Sequence, residues 1–283
     1  MHSPVTTLRK VTPEDKQHVF AVEAKSTPKL CYLPDVFEMF VAEEHGEFFL
    51  AEQDGSVVAC AKFTLLADNT AWLETLRVLP EYQGRGIGKQ LYERYFEIAR
   101  AEGIHTMRMY TGINNLVSRG LAEYNGFQLE ASFLGLSKAC DLSSTHAAVH
   151  GFQHIQDAAQ ASALLMPHAA QWNHFVVMNR TFYRLTPALC GYLAQQGHVY
   201  ADQHSDSVLV LGARFSPQQA LHIGLFAGHA EACLRFAQQQ ANEYGAQQLS
   251  CIFPQSATQV QELLAAYGFE SHPSPYVVMK VDI

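Results

Sequence analysis

Apolar and polar positions along the first half of the chain switch between a two-residue and a helical period, and the switches mark elements. Val5–Lys10, Glu47–Gln53, Ser56–Leu66 and Thr70–Val78 read as strands, the middle two joined by an Asp54-Gly55 hairpin turn. Thr12 caps a helix with Pro13 at its first position, and Pro34–Glu44 forms a second helix. An amphipathic helix over 86–102 stops at Gly103, Thr106–Thr111 is a strand, and Leu116–Asn125 is a helix closed by Gly126 before Phe127 returns to strand. The order is βααβββαβαβ.

The second half repeats that order with weaker punctuation. Val149–Ile155 is a strand and Asp157 caps a helix through Leu165. Thr186-Pro187 opens a helix that ends at Gly197, and His198–Asp202, Val208–Phe215 and Leu221–Phe226 are strands. A helix over Ala230–Tyr244 stops at Gly245, Gln248–Phe253 is a strand, Ser256–Tyr267 a helix and Tyr276–Val281 a final strand. Tyr124-Asn125-Gly126-Phe127 and Ala266-Tyr267-Gly268-Phe269 are equivalent helix endings. A repeat period near 140 residues predicts two similar domains, 1–140 and 147–283, joined by the polar segment Asp141–His146.

Composition sharpens this division. Of the 283 residues 48% are apolar, enough for two cores. Residues 1–140 hold 14 Lys/Arg and 18 Asp/Glu, whereas 141–283 hold 5 and 9, with ten of the fourteen histidines. The net charge of -8 excludes a basic nucleic-acid face, so no nucleic-acid partner is expected. The six cysteines form no C-x-x-C pair and suit a reducing compartment. No apolar run reaches transmembrane length and Met1–Pro4 carries no signal pattern, so a cytoplasmic protein without a membrane partner is expected. His146, His150 and His154 are spaced by four, but the strand across them breaks a helical metal face, and no metal is expected.

The candidate chemistry lies in Gln83-Gly84-Arg85-Gly86-Ile87-Gly88-Lys89, between a strand and an amphipathic helix. A glycine-rich turn at a helix start gathers unpaired backbone N–H groups at the positive end of the helix dipole, which suits a phosphate ligand. Gln90 after Gly88-Lys89 and the missing upstream glycine exclude a Walker A loop, and the glycine spacing excludes a G-x-G-x-x-G turn. The pattern present is Q-x-x-G-x-G on Gln83, Gly86 and Gly88, preceded by Leu76-Arg77-Val78-Leu79-Pro80-Glu81-Tyr82. This segment resembles the acetyl-CoA pyrophosphate loop of the GNAT family of N-acetyltransferases, and the element order matches that fold, with the whole chain similar to tandem members.

The resemblance implies an α/β fold of two GNAT-like domains, each a mixed, mostly antiparallel twisted sheet flanked by helices. It implies acetyl-CoA as co-substrate, held by Leu76, Arg77, Val78, Gln83–Lys89 and Asn115. It implies transfer of the acetyl group to a primary amine of a small molecule or peptide, by direct attack in a ternary complex. The backbone N–H of Val78 or Leu76 would be the acyl-oxygen donor. Glu74 shares strand parity with Leu76 and Val78, so one sheet face is expected to carry all three, with Glu74 as the base. The family's tyrosine acid, four residues before the glycine of the Gly-Phe pair, is Ala122 here, and Tyr124 lies about 200° around the helix from it. Tyr124 is carried as the candidate acid. Asn115 also reads as a helix N-cap. Phe37, Phe40, Phe48, Phe49 and Trp72 are candidate pocket walls or core. Ala227-Gly228-His229-Ala230-Glu231 replaces the loop in the second half, keeping one glycine and setting Glu231 where phosphate would lie, so that domain is expected to be degenerate. A non-catalytic acyl-CoA sensor or scaffold is the alternative, and monomer and homodimer both stay open.

Overall fold

The computed structural model describes residues 5–43, 46–140 and 151–283. The polar segment Asp141–His146, His150 and the start of the strand expected at Val149 lie outside the described residues. The chain divides into two packed units. The first comprises residues 1–111, 115–129 and 279–283, and the second 112–114 and 130–278.

The first unit runs β1 (Thr6–Lys10), α1 (Lys16–Ser26), α2 (Leu33–Ala42), β2 (Gly46–Gln53), β3 (Ser56–Leu65), β4 (Ala71–Val78), α3 (Ile87–Ala101), β5 (Thr106–Gly112) and α4 (Leu116–Tyr124). Strands β1 to β4 pair antiparallel in sequence order, and β4 pairs parallel with β5. Asp54 and Gly55 both take positive φ (51° and 75°), the left-handed pair that a two-residue hairpin turn requires. Thr12 and Pro13 start a short 3-10 turn rather than the helix itself, and Asp15 accepts from Thr12 N (2.8 Å) before α1 begins. Helix α3 buries Ile87, Leu91, Tyr92, Tyr95, Ile98 and Ala99, an apolar stripe at helical spacing. That stripe covers one sheet face, where Tyr95 meets Phe49 and Phe63 (ring centroids 5.3 and 6.3 Å). Helices α1 and α2 cover the other, where Phe48 packs edge-on to Phe37 and Phe40. Phe37, Phe40, Phe48, Phe49 and Trp72 are all buried.

The second unit is built mainly from β6 (Gln128–Ala139), β7 (Phe152–His154), α5 (Ala158–Leu165), β8 (Phe175–Met178), β9 (Thr181–Arg184), α6 (Pro187–Gln195), β10 (Val199–Asp202), β11 (Val208–Gly212), β12 (Ala220–Ala227), α7 (Ala230–Glu243), β13 (Gln248–Pro254), α8 (Thr258–Ala266) and β14 (Glu270–Ser271). The last strand, β15 (Tyr276–Asp282), begins in this unit and ends in the first. Its sheet runs β6-β13-β12-β11-β10-β7, antiparallel except for the parallel β12–β13 pair. Each unit is therefore a mixed, mostly antiparallel sheet flanked by helices, with one parallel pair at the equivalent place.

Two features depart from the sequence expectation. Residues 130–139, expected to close the first domain, group with the second unit, and 279–283 return to the first. There Thr106 Oγ1 donates to Asp282 (2.8 Å) and Ile283 N to His105 O (2.9 Å). Within 166–185, where the sequence pattern predicts no element, Phe175–Arg184 folds as the β8–β9 hairpin, with Asn179 and Arg180 both at positive φ in its turn (49° and 60°).

Candidate active site

The glycine loop sits at the start of α3 in the geometry its composition requires. Gly84 and Gly86 take φ +74° and +83°, a left-handed conformation that side-chain-bearing residues rarely adopt, and Gly86 is the N-cap of α3. A Cβ built on either would meet nothing within 4 Å, so both face open space. Gly88 differs: its conformation is ordinary, but a Cβ would stand 2.9 Å from Leu121 of α4. The N–H groups of Ile87, Gly88 and Lys89 precede any carbonyl that the helix could offer them. Gln90 N is the one that closes back onto Gly86 O (3.2 Å). Arg85 lies over the Tyr82 ring (4.9 Å), and Gln83 Nε2 donates to Val78 O (3.1 Å), tying the loop to the end of β4. Helix-start main-chain donors beside open space at Gly84 and Gly86 could hold a diphosphate.

Strand β4 leads into this loop and parts from its parallel neighbour. Its register with β5 consists of Ala71–Met107 and Trp72–Arg108, and no pair follows. Leu79 N donates to Val58 O on β3 (2.9 Å). The alternation of a strand then turns Val78 N–H to the opposite edge, the one that β5 has left. Val78 O on that edge accepts from Ser26 Oγ (3.1 Å) and Gln83 rather than from a strand.

The bulge in β4 corrects the expected parity. Lys62 opposes Glu74 and Cys60 opposes Arg77, so Thr75 and Leu76 together face Ala61. Thr75 carries φ +53°, strained for a β-branched residue, and its buried hydroxyl has no hydrogen-bond partner. One extra residue flips the phase of everything after it. Glu74 therefore shares the α1/α2 face with Arg77 and with Trp72, whereas Val78 joins Ala59 and Leu73 on the α3 face. The expectation that Glu74, Leu76 and Val78 share one face fails, because alternation counted along the sequence assumes an unbulged strand.

On the α1/α2 face the bulge assembles a polar cluster. Glu74 is nine-tenths buried and accepts from Thr64 Oγ1 (2.5 Å). Glu23 of α1 is buried, and its Oε2 accepts from Tyr32 N (3.1 Å) and Leu33 N (2.9 Å) at the start of α2. Burial raises the Glu23 carboxyl above its ordinary value, opposed by those two amides and by Arg77. Burial first and the Glu74 carboxylate second push the Tyr32 phenol well above its ordinary value, with Arg77 opposing. Trp72 and Tyr110 stack at 6.0 Å as an aromatic wall. Lys62, fully buried, pairs with Glu43 and lies over the Phe40 ring (5.5 Å). Sequence reasoning missed Tyr32, Glu23 and Tyr110. Nothing in the local pattern marks them, because the bulge and the α1–α2 turn bring them together.

The remaining candidates lie around the loop. Asn115 caps α4, its Oδ1 accepting from Ser118 N (3.2 Å). Ala122 is fully buried, as its neighbours in the core require. Tyr124 is 69% exposed, and Lys89 Nζ lies over its ring at 5.5 Å. The structure thus places Tyr124 with the loop and not in the polar cluster around Glu74.

The second unit closes the equivalent positions with its own atoms. Gly228 takes φ +79°, but a Cβ there would stand 2.6 Å from Asp206 O and 2.7 Å from Ser207 Cα. His229 N donates to Ser207 Oγ (2.9 Å), and the His229 ring accepts from Ala232 N (3.3 Å). Glu231 pairs with Arg235 (2.5 Å) in the first turn of α7. Strand β12 also parts from β13, with no registered pair beyond Ile223–Cys251, but Trp172 Nε1 donates to Phe226 O there (3.2 Å). In the second unit the N-cap amide and the third amide of the helix, His229 N and Ala232 N, are thus both met by side chains.

Among the described residues no group of three or more His, Cys, Asp or Glu could hold a metal ion, and no helix is long and apolar enough to cross a membrane. All six cysteines are free thiols.

Residues 16–127 match the family model described as acetyltransferase (GNAT) family. Over 69 residues the chain is 41% identical to an amino-acid acetyltransferase of Azotobacter vinelandii, covering 24% of this chain and 16% of that protein. Over 74 residues it is 32% identical to a mycothiol acetyltransferase of Beutenbergia cavernae, covering 26% of this chain and 25% of that protein. The chain thus spans a quarter or less of the length of either relative. Among solved structures, a GCN5-related N-acetyltransferase from Sphaerobacter thermophilus shares the fold with TM-score 0.67 at 13% identity, covering 98% of this chain and 95% of that one. A tandem GNAT protein from the clavulanic acid biosynthesis pathway shares it with TM-score 0.60 at 15% identity, covering 98% of both.

Proposed function

From the premise that residues 16–127 form a domain of the GNAT acetyltransferase family, we propose that the first unit moves an acetyl group from acetyl-CoA to a primary amine. The observation that carries this reading is the pair of left-handed glycines, Gly84 and Gly86, whose Cβ positions are open, at the N-terminus of α3. The α3 first-turn amides and the loop from Gln83 to Lys89 would hold the diphosphate, with Lys89, Tyr124 and Asn115 along its flank. Acetyl-CoA supplies, when bound, an acetyl carbon activated as a thioester.

Every other part of the chemistry falls to the chain itself. Val78 N–H, turned to the edge that β5 has left, donates toward the acyl oxygen as negative charge develops there. Glu74 takes the proton that the amine must lose, directly or through water. Tyr32, held protonated, donates toward the departing sulfur, the role that the sequence pattern offers to Tyr124. The aromatic wall of Trp72 and Tyr110 excludes water from the acceptor side. Attack is direct: Cys60, the buried thiol on this face, is pushed up to about 12 by burial and is a poor nucleophile.

The second unit plays a structural part in this reading, since the Asp206–Ser207 turn occupies the space that a diphosphate would need. A cytoplasmic location, an amine-bearing small molecule or peptide as partner, and the absence of nucleic-acid or membrane partners belong to the same proposal. The test is release of free thiol from acetyl-CoA across an amine panel, beside calorimetry of CoA binding. Binding without turnover on any amine would favour the sensor reading, and no binding would end both.

A further inference from the structure

We infer that the outer face of α4 docks a second copy of this chain, the two α4 helices crossing antiparallel about a twofold axis at Gly120. The first observation is a glycine for which the fold itself gives no reason. Among the described residues three glycines lie within helices. A Cβ at Gly88 in α3 would stand 2.9 Å from Leu121, and one at Gly191 in α6 would stand 3.2 Å from Ala158, so close neighbours account for both. A Cβ at Gly120 in α4 would meet nothing within 4 Å, and Gly120 is not in the left-handed region. Glycine inside an exposed helix weakens it relative to alanine. The open space at Gly120 thus has no use among the described residues and fits close approach by another molecule.

The face around Gly120 is apolar and in solvent. At about 100° per residue, Leu116, Gly120, Tyr124 and Val117 fall within one arc of about 100°, with Gly120 near its middle. Leu116 is 73% exposed and Val117 79%, and Tyr124 stands out beside them. Of the nine exposed large apolar side chains among the described residues, these three share one helix of nine residues. Ala122, the buried residue of α4, lies about 160° around the helix from Gly120, so the arc points away from the core. A clustered set of this kind marks an interaction surface, as scattered single residues do not.

Charge selects a second copy as the occupant. Arg119 and Glu123 are the charged residues of α4; both lie along one edge of the arc and pair at 3.5 Å. In an antiparallel twofold pair the same edge of each helix meets, so that edge has to complement itself. With the axis at Gly120, Leu116 of one copy faces Tyr124 of the other. Arg119 then comes beside Glu123 of the second copy, two residues apart along the axis, about 3 Å. A chain of net charge -8 repels its copy over most approaches, but here neither helix brings net charge to the contact. Two nine-residue helices bury less than a standard interface, so the dimer is weak, with a dissociation constant of about 1–100 μM.

The experiment is analytical ultracentrifugation of the full chain from about 1 to 300 μM, where a monomer–dimer equilibrium is expected. Gly120→Glu sets two carboxylates on the axis and should weaken dimerisation by about tenfold or more. Gly120→Ala should weaken it as well, because the methyl enters the contact, while the melting temperature of the dilute protein holds or rises. Glu123→Arg should weaken the dimer by setting arginine against arginine, and adding Arg119→Glu to that chain should restore it. The melting temperature checks that each variant is folded. A protein monomeric across the whole range overturns the proposal. A dimer indifferent to Gly120→Glu in a folded chain, or one that the charge exchange fails to restore, overturns it too. Loss of CoA affinity in Gly120→Ala, read by calorimetry, would assign the open space to the nucleotide and overturn it as well.

Discussion

Gly86, the N-cap of α3, and Gly228, one residue before the N-cap of α7, should respond to the same substitution in opposite ways. Both hold positive φ, near +80°, so alanine at either incurs the left-handed penalty of about 1–2 kcal/mol. At Gly86 nothing more is added, because the new Cβ meets no protein atom within 4 Å. At Gly228 the Cβ would stand 2.6 and 2.7 Å from the main chain of Asp206 and Ser207, which must move, adding about 1–3 kcal/mol. With about 2–4 °C of melting temperature per kcal/mol for domains of this size, Gly86→Ala should lower the melt by a few degrees and Gly228→Ala by about twice as much. CoA affinity should show the reverse order. The methyl at Gly86 enters the space assigned to the diphosphate, so calorimetry should show at least a tenfold loss, and Gly228→Ala should show none. Gly86→Asp adds a carboxylate about 5 Å from a phosphate, worth about 1–3 kcal/mol per phosphate charge at an effective dielectric between water and protein surface. Its affinity should fall by a further ten- to hundredfold. Unchanged affinity in both Gly86 variants would refute the loop assignment, and a large loss in a folded Gly228→Ala would refute the division of labour between the units.

Glu74→Gln should lower kcat by about 10²-fold or more with CoA affinity unchanged, as loss of a general base does; full activity in that variant would leave proton removal to water alone. Trp172→Phe removes the donor to Phe226 O at a buried site, and a destabilisation of about 1–3 kcal/mol in chemical unfolding is expected. His222 is buried, its Nε2 has no hydrogen-bond partner, and burial with the nearby Arg180 and His272 lowers its pKa to about 3. The unfolded chain takes up that proton below its ordinary value of 6.5 while the native fold does not, so stability falls as pH drops from 6.5 toward 3. His222→Phe should flatten that limb by about 1.4 kcal/mol per pH unit, measured by urea unfolding across the range. An unaltered slope would mean that other groups carry the acid sensitivity.

The local signals survived folding where chemistry and geometry coincide. Gly84 and Gly86 announce their left-handed backbone, Asp54-Gly55 its turn, and Asn115 and Asp157 their caps, each confirmed by a bond to the expected amide. The element order was legible for the same reason. The acceptor side was not. Its organising feature is one surplus residue in β4, at Thr75, a residue type that does not advertise a left-handed conformation. Strand parity read from sequence assigns Glu74 to the wrong neighbours from that point on. Tyr32 and Glu23 meet through a turn between helices, and α1 has no apolar stripe strong enough to orient it from sequence. The β8–β9 hairpin escaped because Asn179-Arg180 is not a glycine turn, although both residues adopt the backbone of one.

The return of residues 279–283 to the first unit bears on how the chain is made. A ribosome delivers residues 1–129 long before it delivers the segment that lies beside β5. Until then the β5 edge shows open main-chain donors and acceptors, the situation in which nascent strands recruit the wrong partner. The first unit would thus be finished only once residues 279–283 have been translated, after the whole of the second unit. Cutting at the compositional boundary near 140 would leave that edge bare permanently.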